Sequence, residues 1–148
     1  MMIISITVSG KETLKEMHKV YISWNEVQDW LEVLVKANQL HTNSNIKSIY
    51  GLPRGGLVPA VILSHMLDLP LWHSKTYITE NTLVVDDICD TGETLKMYEI
   101  DKCPTLTIHY KRSAIIEPTY WCMPVEEDQW IVYPWEKEDS ETIADYKK

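Results

Sequence analysis

Short apolar runs alternate along this chain with longer segments in which apolar positions recur every three or four residues. The first run, Ile3 to Val8, has the character of an edge strand. Ser23 and Glu26 have the spacing of a capping box, which predicts a helix from there to about Asn38. The apolar face of this predicted helix consists of Val27, Trp30, Leu31 and Leu34.

A strand, a glycine-bearing loop and a helix then follow one another twice. The first set comprises the predicted strand Ile46 to Leu52 and the helix Leu57 to Leu67. The second set comprises the strand Thr82 to Val85 and the helix Glu93 to Tyr98. The polar stretch His41 to Asn45 is predicted to be a loop. In the helix Leu57 to Leu67, the positions expected to face inwards are Val58, Val61, Ile62 and Met66.

Four further short strands complete the pattern, at Leu71 to His73, Thr105 to Tyr110, Tyr120 to Met123 and Trp130 to Tyr133. This order predicts an α/β fold, a parallel twisted sheet flanked by helices with right-handed crossovers. In such sheets the ligands bind beyond the carboxyl ends of the strands, where both glycine-bearing loops would lie. We expect one domain over residues 1–148, with an N-terminal extension at 1–19 and a charged tail at 137–148.

Composition narrows the class of protein. The 148 residues carry 14 basic and 22 acidic side chains, a net charge of -8, which disfavours nucleic acid as a partner. No run is long enough to cross a membrane, and the start lacks the features of a secretion signal. Three cysteines without a CxxC spacing indicate free thiols in a reducing compartment, so we expect a cytoplasmic protein. They are Cys89, Cys103 and Cys122.

The segment Leu83 to Leu95 carries the strongest chemical signal. A buried strand delivers two adjacent carboxylates, Asp86 and Asp87, to a turn that leads into a helix. Free N–H groups at a helix N-terminus bind anions, and Thr91 and Thr94 can add hydroxyl donors. Carboxylates do not contact phosphate without a cation, so the acidic pair indicates a metal or sugar hydroxyls. A phosphate and a diol side by side describe a ribose 5-phosphate.

This segment resembles the phosphoribosyl pyrophosphate (PRPP) motif of the type I phosphoribosyltransferases. The resemblance implies that family's fold, with a small hood built from N- and C-terminal segments. It also implies that Asp86 and Asp87 bind the ribose hydroxyls and Mg²⁺. The 5′-phosphate would then be held by the turn Asp90, Thr91, Gly92, Glu93 and Thr94. Glu93 is unusual beside a phosphate, and its carboxylate is compatible with that place only if it points to solvent.

Two further segments agree with this resemblance. Pro53, Arg54 and Gly55 resemble the family's pyrophosphate loop, which often holds a cis peptide just before the arginine. Lys111 and the later aromatic segment resemble the xanthine–guanine and hypoxanthine phosphoribosyltransferases of bacteria and archaea. By that resemblance Lys111 donates to the purine 6-oxo group, Trp130 stacks on the base and Ile131 lies near position 2. The ammonium group of Lys111 would donate a hydrogen bond to a carbonyl and would repel a 6-amino group, which is also a donor.

The implied reaction is attack of purine N9 on C1 of PRPP with loss of pyrophosphate, aided by Mg²⁺. The base would be guanine, xanthine or hypoxanthine, and Asp90 would be the general acid or base near N7. Dimers or tetramers of the chain are the expected assembly. One feature departs from the family, because only the eight residues from Ser74 to Asn81 replace a long mobile loop. Either the N-terminal extension covers the site, or the site stays open.

Three other interpretations remain. A non-catalytic PRPP or nucleotide sensor on the same fold is the main alternative, and the short loop favours it. A transferase for pyrimidines or 6-aminopurines is disfavoured by Lys111 and the Trp130 segment. A thiol enzyme built on Cys89 is the most remote, because no histidine lies near it in the sequence. The five histidines have no metal-ligand spacing and are expected to be structural or at the surface.

Overall fold

The computed structural model describes residues 2–8, 11–43 and 45–137 of the chain. Three α-helices are present among them, α1 (Trp24–Ala37), α2 (Leu57–Leu67) and α3 (Glu93–Ile100). Short 3-10 turns occupy Leu40–Thr42 and Lys75–Tyr77. The eight strands are β1 (Met2–Val8), β2 (Lys11–Tyr21), β3 (Ser48–Gly51), β4 (Leu71–Trp72), β5 (Thr82–Cys89), β6 (Thr105–Lys111), β7 (Tyr120–Val125) and β8 (Gln129–Val132).

These strands form two sheets. The larger sheet has the order β4-β3-β5-β6-β7 and is parallel throughout, with helices packed on it. The smaller sheet has the order β1-β2-β8. In it β1 and β2 are antiparallel, while the last four residues of β2 pair in parallel with β8. The predicted α/β fold is therefore confirmed, and the smaller sheet joins the N-terminal strands to the C-terminal one.

Helix α1 begins where the sequence predicts. Ser23 Oγ accepts a hydrogen bond from the Glu26 N–H at 3.1 Å. The Ser23 N–H donates in return to Glu26 Oε1 at 3.2 Å, so the capping box is complete. The buried face consists of Val27, Leu31, Leu34 and Val35, with Trp30 partly buried beside it. Both the helix and its face are confirmed.

The inward face predicted for α2 is right only in part, since Ile62 and Met66 pack against the hydrophobic core but Val61 does not. This helix buries Pro59, Ala60 and Leu63, whereas Val61 is 43% exposed. The error has a physical cause, because α2 is apolar almost all round and its sequence offers no polar stripe to identify the outer side. The close approach of α2 to β3 selects the face instead. A Cβ on Gly51 would lie 2.7 Å from the Cβ of Ala60.

Two strand predictions also differ from the structure. β5 was expected to end at Val85 but continues to Cys89, because β6 runs beside it and pairs Cys89 with Tyr110. β2 was not predicted at all, since Lys11 to Lys19 is a polar stretch. Its strand conformation depends on β1 and β8, one of which lies more than a hundred residues away in sequence.

The sheet divides the core into two clusters. The first cluster lies on the side of α1 and α2 and includes Ile49, Val85 and Ile108. The second includes Tyr50, Val84 and two residues of α3. All three cysteines are free, as predicted, with Cys89 and Cys103 buried and Cys122 partly buried. In the part of the chain that the structure describes, no helix has the length and apolarity to cross a membrane. The charged tail from residue 138 onwards lies outside the described residues.

The turn before α2 generates a stability prediction. A Cβ added to Gly56 would collide with the backbone carbonyl of Val85 and would also lie 2.8 Å from two backbone atoms of Leu52. Because backbone atoms cannot turn aside, we expect Gly56→Ala to lower the free energy of unfolding by at least about 1–3 kcal/mol, the usual cost of overpacking. Urea denaturation measures this.

The matched control is Gly55→Ala, the same chemical change one residue earlier. Its Cβ would meet the carboxylate of Asp87, a side chain that can rotate. We expect a smaller loss of stability for this variant. Equal stability losses for the two variants would contradict the assignment of the backbone contact.

Candidate functional site

Three chain segments meet at the carboxyl edge of the larger sheet. The turn from Pro53 to Gly56 follows β3, the turn from Asp90 to Gly92 follows β5, and Lys111 is the last residue of β6. β3 and β6 are the two neighbours of β5, so all three strand ends lie side by side. The structure therefore brings together the segments that the sequence singles out.

Asp86 and Asp87 are residues of β5 itself, near its end. Asp86 is 7% exposed, and its Oδ1 accepts a hydrogen bond from the Asp87 N–H at 2.9 Å. Asp87 Oδ1 accepts from the Ile88 N–H at 2.8 Å. Each carboxylate is thus held by the next backbone amide, which fixes its orientation and leaves its other oxygen to different contacts.

The glycine-arginine turn packs directly against this acidic pair. The Pro53–Arg54 peptide bond is cis, as the family resemblance implies. The Leu57 N–H donates to the Arg54 carbonyl at 3.1 Å, which closes the turn at the start of α2. Gly55 faces the carboxylate of Asp87 so closely that a side chain at this position would overlap it. The turn and Asp87 therefore form one continuous surface.

A second turn connects β5 to α3. Gly92 has a φ of 84°, a left-handed conformation that favours glycine. The carbonyl of Thr91 accepts from the Ile115 N–H at 2.9 Å, and Gly92 packs against Ile116. Nothing in the sequence points to the 115–116 segment as a support for this turn. The side chain of Glu93 is exposed, as its place in the turn requires, and Thr94 is partly buried.

Lys111 and Asp90 form an ion pair across the site, with Lys111 Nζ 2.9 Å from Asp90 Oδ1. The lysine side chain is only 14% exposed, whereas the aspartate is 56% exposed. Lys111, the candidate donor to the purine, is thus in direct contact with Asp90, the candidate general acid or base. Any ligand that uses Lys111 must share or displace this carboxylate.

Trp130 and Ile131 lie on β8, in the smaller sheet, and both are partly buried. Their register partners are Lys19 and Val20 of β2. The N-terminal extension therefore supports the strand that carries the two candidate base-binding residues. The connection between β8 and the acidic pair runs through a residue that follows β8.

That residue is Tyr133, which the sequence interpretation assigned only to a strand. Its hydroxyl donates to the backbone carbonyl of Asp87 at 3.0 Å and lies 2.7 Å from Nδ1 of His109. Burial raises the pKa of Tyr133 well above its usual value and lowers the pKa of His109 to about 4. A tyrosine at an otherwise apolar buried position was the only sequence signal available for this contact.

The environment of Cys89 does not favour a nucleophilic thiol. Burial, and then the charges of Asp86, Asp90 and Glu99, raise the pKa of Cys89 to about 12. Its Sγ lies 3.8 Å from the carbonyl of Ile116, beneath the turn. A thiolate would be strongly disfavoured here.

Comparisons with known proteins agree with the geometry. No protein-family profile matches the chain. The xanthine-guanine phosphoribosyltransferase of Desulfotalea psychrophila is 29% identical over 139 residues, covering 79% of this chain and 86% of the relative. Another xanthine-guanine phosphoribosyltransferase, from Idiomarina loihiensis, is also 29% identical, with 78% and 86% covered.

Among solved structures, the purine phosphoribosyltransferase of Pyrococcus horikoshii Ot3 superposes with a TM-score of 0.66 at 29% identity. The match covers 84% of this chain and 99% of that one. The sequence motifs, the parallel sheet and these relatives agree, so the chain is similar to the type I phosphoribosyltransferases and, among them, to the xanthine–guanine and hypoxanthine enzymes.

Proposed function

We propose that this protein transfers ribose 5-phosphate from PRPP to N9 of guanine, xanthine or hypoxanthine, with release of pyrophosphate. The observation that carries the proposal is the meeting of an acidic pair, an arginine-bearing turn and a lysine at one sheet edge. Each provides chemistry for a different part of the two substrates. The test is a pyrophosphate-release assay with PRPP, Mg²⁺ and a panel of bases.

The ribose 5-phosphate would occupy the end of β5. Asp86 and Asp87 would accept hydrogen bonds from the ribose hydroxyls, since each carboxylate is already oriented by a backbone amide. The 5′-phosphate would take the N–H groups at the start of α3, where Gly92 allows a close approach. The remaining members of this turn are Asp90, Thr91, Glu93 and Thr94, of which the threonines would add hydroxyl donors.

The pyrophosphate would lie on the turn of Pro53, Arg54 and Gly55. The guanidinium can form paired hydrogen bonds with phosphate oxygens. The absence of a side chain on Gly55 lets this turn contact Asp87, which keeps the pyrophosphate end of PRPP beside its ribose. This arrangement suits a single substrate that carries a phosphate group at each end.

Magnesium fits the donor set at this edge. Among the described residues, no group of three or more His, Cys, Asp or Glu side chains could enclose a metal ion. Mg²⁺ commonly binds through one or two carboxylates together with phosphate oxygens of the substrate, and Asp86 and Asp87 are suited to that mode. When bound, Mg²⁺ would offset negative charge on the pyrophosphate leaving group.

The base would enter beside the Lys111–Asp90 ion pair. Lys111 would donate to the 6-oxo group, Trp130 would stack on the ring, and Ile131 would lie near position 2. Base stacking on an aromatic side chain contributes about 1–3 kcal/mol in nucleic-acid complexes. The ammonium group of Lys111 and a 6-amino group on a purine are both hydrogen-bond donors. Because Lys111 is largely buried and paired with Asp90, it would repel a 6-aminopurine.

The reaction would form the bond between N9 and C1 of the ribose while the bond from C1 to the pyrophosphate oxygen breaks. The proton of the base would pass to Asp90, whose Oδ1 lies 2.9 Å from Lys111 Nζ. Electron pairs of the broken bond leave with pyrophosphate. Orientation of the two substrates by fixed groups would supply most of the rate enhancement.

A non-catalytic PRPP or nucleotide sensor is the second candidate function. The loop from Ser74 to Asn81 favours it, since Ile78 packs on the second core cluster and Tyr77 contacts Trp72, with ring centroids 5.5 Å apart. This loop packs against its own sheet, which does not suit a lid. The free cysteines fit a reducing compartment, and we propose a cytoplasmic location for either function.

The acidic pair provides the first test of the site. We expect Asp86→Asn combined with Asp87→Asn to abolish PRPP binding, because the amides neither ligate Mg²⁺ well nor accept from the ribose hydroxyls as strongly. Isothermal titration calorimetry with PRPP and Mg²⁺ measures this. Asp101→Asn, an exposed change at the far end of α3, is the matched control. If the folded double variant binds PRPP as tightly as wild type, Asp86 and Asp87 do not bind the ribose.

Base selection provides the second test. With wild-type protein we expect turnover of at least one 6-oxopurine and very little of adenine. We expect Lys111→Met to raise the KM for the 6-oxopurine and lower kcat, because both the donor and the partner of Asp90 are lost. Adenine as the best substrate would refute the role of Lys111 and the choice of substrate class.

The N-terminal strands provide the third test. We expect removal of residues 1–19 to lower kcat much more than it weakens PRPP binding, since it removes the β2 residues that pair with Gln129 and Trp130. The control is removal of residues 1–10, which takes away β1 but keeps all of β2. A folded 1–19 deletion as fast as the full chain would show that β2 does not support the base-binding strand.

A further inference from the structure

Tyr133 makes two hydrogen bonds inside the core, one to β5 at the candidate site and one to β6. Its hydroxyl is 3.0 Å from the backbone carbonyl of Asp87 and 2.7 Å from His109 Nδ1. A hydroxyl has one proton, and a carbonyl can only accept. Tyr133 therefore donates to Asp87, and its oxygen accepts from the Nδ1–H of His109. This chain of donors assigns to His109 the neutral tautomer that carries its proton on Nδ1.

The surrounding rings hold both side chains in place. Tyr133 stacks on Trp135 with ring centroids 4.8 Å apart and an interplanar angle of 1°. His109 meets Trp30 edge to face at 5.4 Å. His109 is buried and its pKa is lowered to about 4 by desolvation, so the ring stays neutral at neutral pH and the donor chain does not change direction. The hydroxyl thus has a fixed position relative to both sheets.

The hydroxyl of Tyr133 connects two chain segments that are assigned to different substrates. Asp87 bears a carboxylate assigned to the ribose, and its carbonyl belongs to the same peptide as the Ile88 N–H, which donates to Asp87 Oδ1. Trp130 and Ile131, assigned to the base, lie three and two residues before Tyr133. A movement of Tyr133 would therefore change the separation between the base and the ribose.

We propose that Tyr133 and His109 are positioning residues that fix the base-binding strand β8 against the ribose-binding segment of β5. This inference rests on the proposed function, because it concerns the distance between N9 of the purine and C1 of the ribose. Neither residue touches substrate. Their loss would leave each substrate its own contacts and disturb only the alignment of the two reacting atoms.

Tyr133→Phe tests this role, because the phenylalanine keeps the ring and its stacking on Trp135 and removes only the hydroxyl. We expect kcat to fall about tenfold, within the range seen when reactants are slightly misplaced, with KM for PRPP and for the base close to wild type. Tyr50→Phe is the matched control, since Tyr50 is also buried but belongs to the second core cluster. We expect its kcat to equal that of wild type.

His109 provides two measurements that distinguish positioning from a purely structural role: its protonation state and the kcat of its variants. We expect ¹⁵N NMR of labelled histidine to find His109 protonated on Nδ1 and without titration around neutral pH. His109→Asn keeps a donor near the Nδ1 position, so it should retain more of kcat than His109→Leu. A His109 protonated on Nε2 would overturn the donor chain.

The outcomes distinguish a failure of the proposed function from a failure of the positioning role. A wild-type protein that makes no nucleotide from any base overturns the proposed function. A wild-type protein that is active, together with a Tyr133→Phe variant as fast as Tyr50→Phe, overturns the positioning role alone. A parallel loss of kcat and of PRPP affinity in Tyr133→Phe also overturns it, because the hydroxyl would then serve PRPP binding rather than alignment.

Discussion

The close approach of two backbone segments is the constraint on which this site depends. Gly56 lies against the carbonyl of Val85, and Gly55 against the carboxylate of Asp87. A side chain at Gly56 would push the turn away from β5, and one at Gly55 would displace the carboxylate of Asp87. Because α2 begins at the next residue, the same contact also sets how this helix packs on the sheet. One pair of glycines therefore fixes the helix, the turn and the orientation of the acidic pair together.

The sheet contributes to the site from both of its sides. Tyr133 approaches the Asp87 carbonyl from the side of α1 and α2, where it belongs to the first core cluster. The turn after β5 is supported from the other direction, by Ile115 and Ile116. A strand end clamped between two packed layers has little freedom to move. Under the proposed function, the groups that hold the phosphorylated sugar would therefore be rigid before it binds.

Much of this arrangement could be predicted from the sequence, because the signals were local. The capping box at Ser23 fixed the start of α1, and the run of residues after Val84 identified a turn between a strand and a helix. The predictions failed where distant contacts decide the outcome. The uniform apolarity of α2 cannot identify its buried face, and the polar residues of β2 become a strand only through β1 and β8. Tyr133 and His109 have no motif, since their role depends on a contact across 24 residues.

The smaller sheet also imposes an order on folding. His18 pairs with Gln129, so β2 and β8, the strand proposed to bind the base, are synthesised more than a hundred residues apart. Contacts between such distant residues form late, because the intervening chain must first be ordered. The edge of the larger sheet proposed to bind the sugar phosphate, built from β3, β5 and β6, can therefore assemble before the smaller sheet. A nascent chain would therefore hold the proposed phosphate-binding edge before it could hold the proposed base-binding strand.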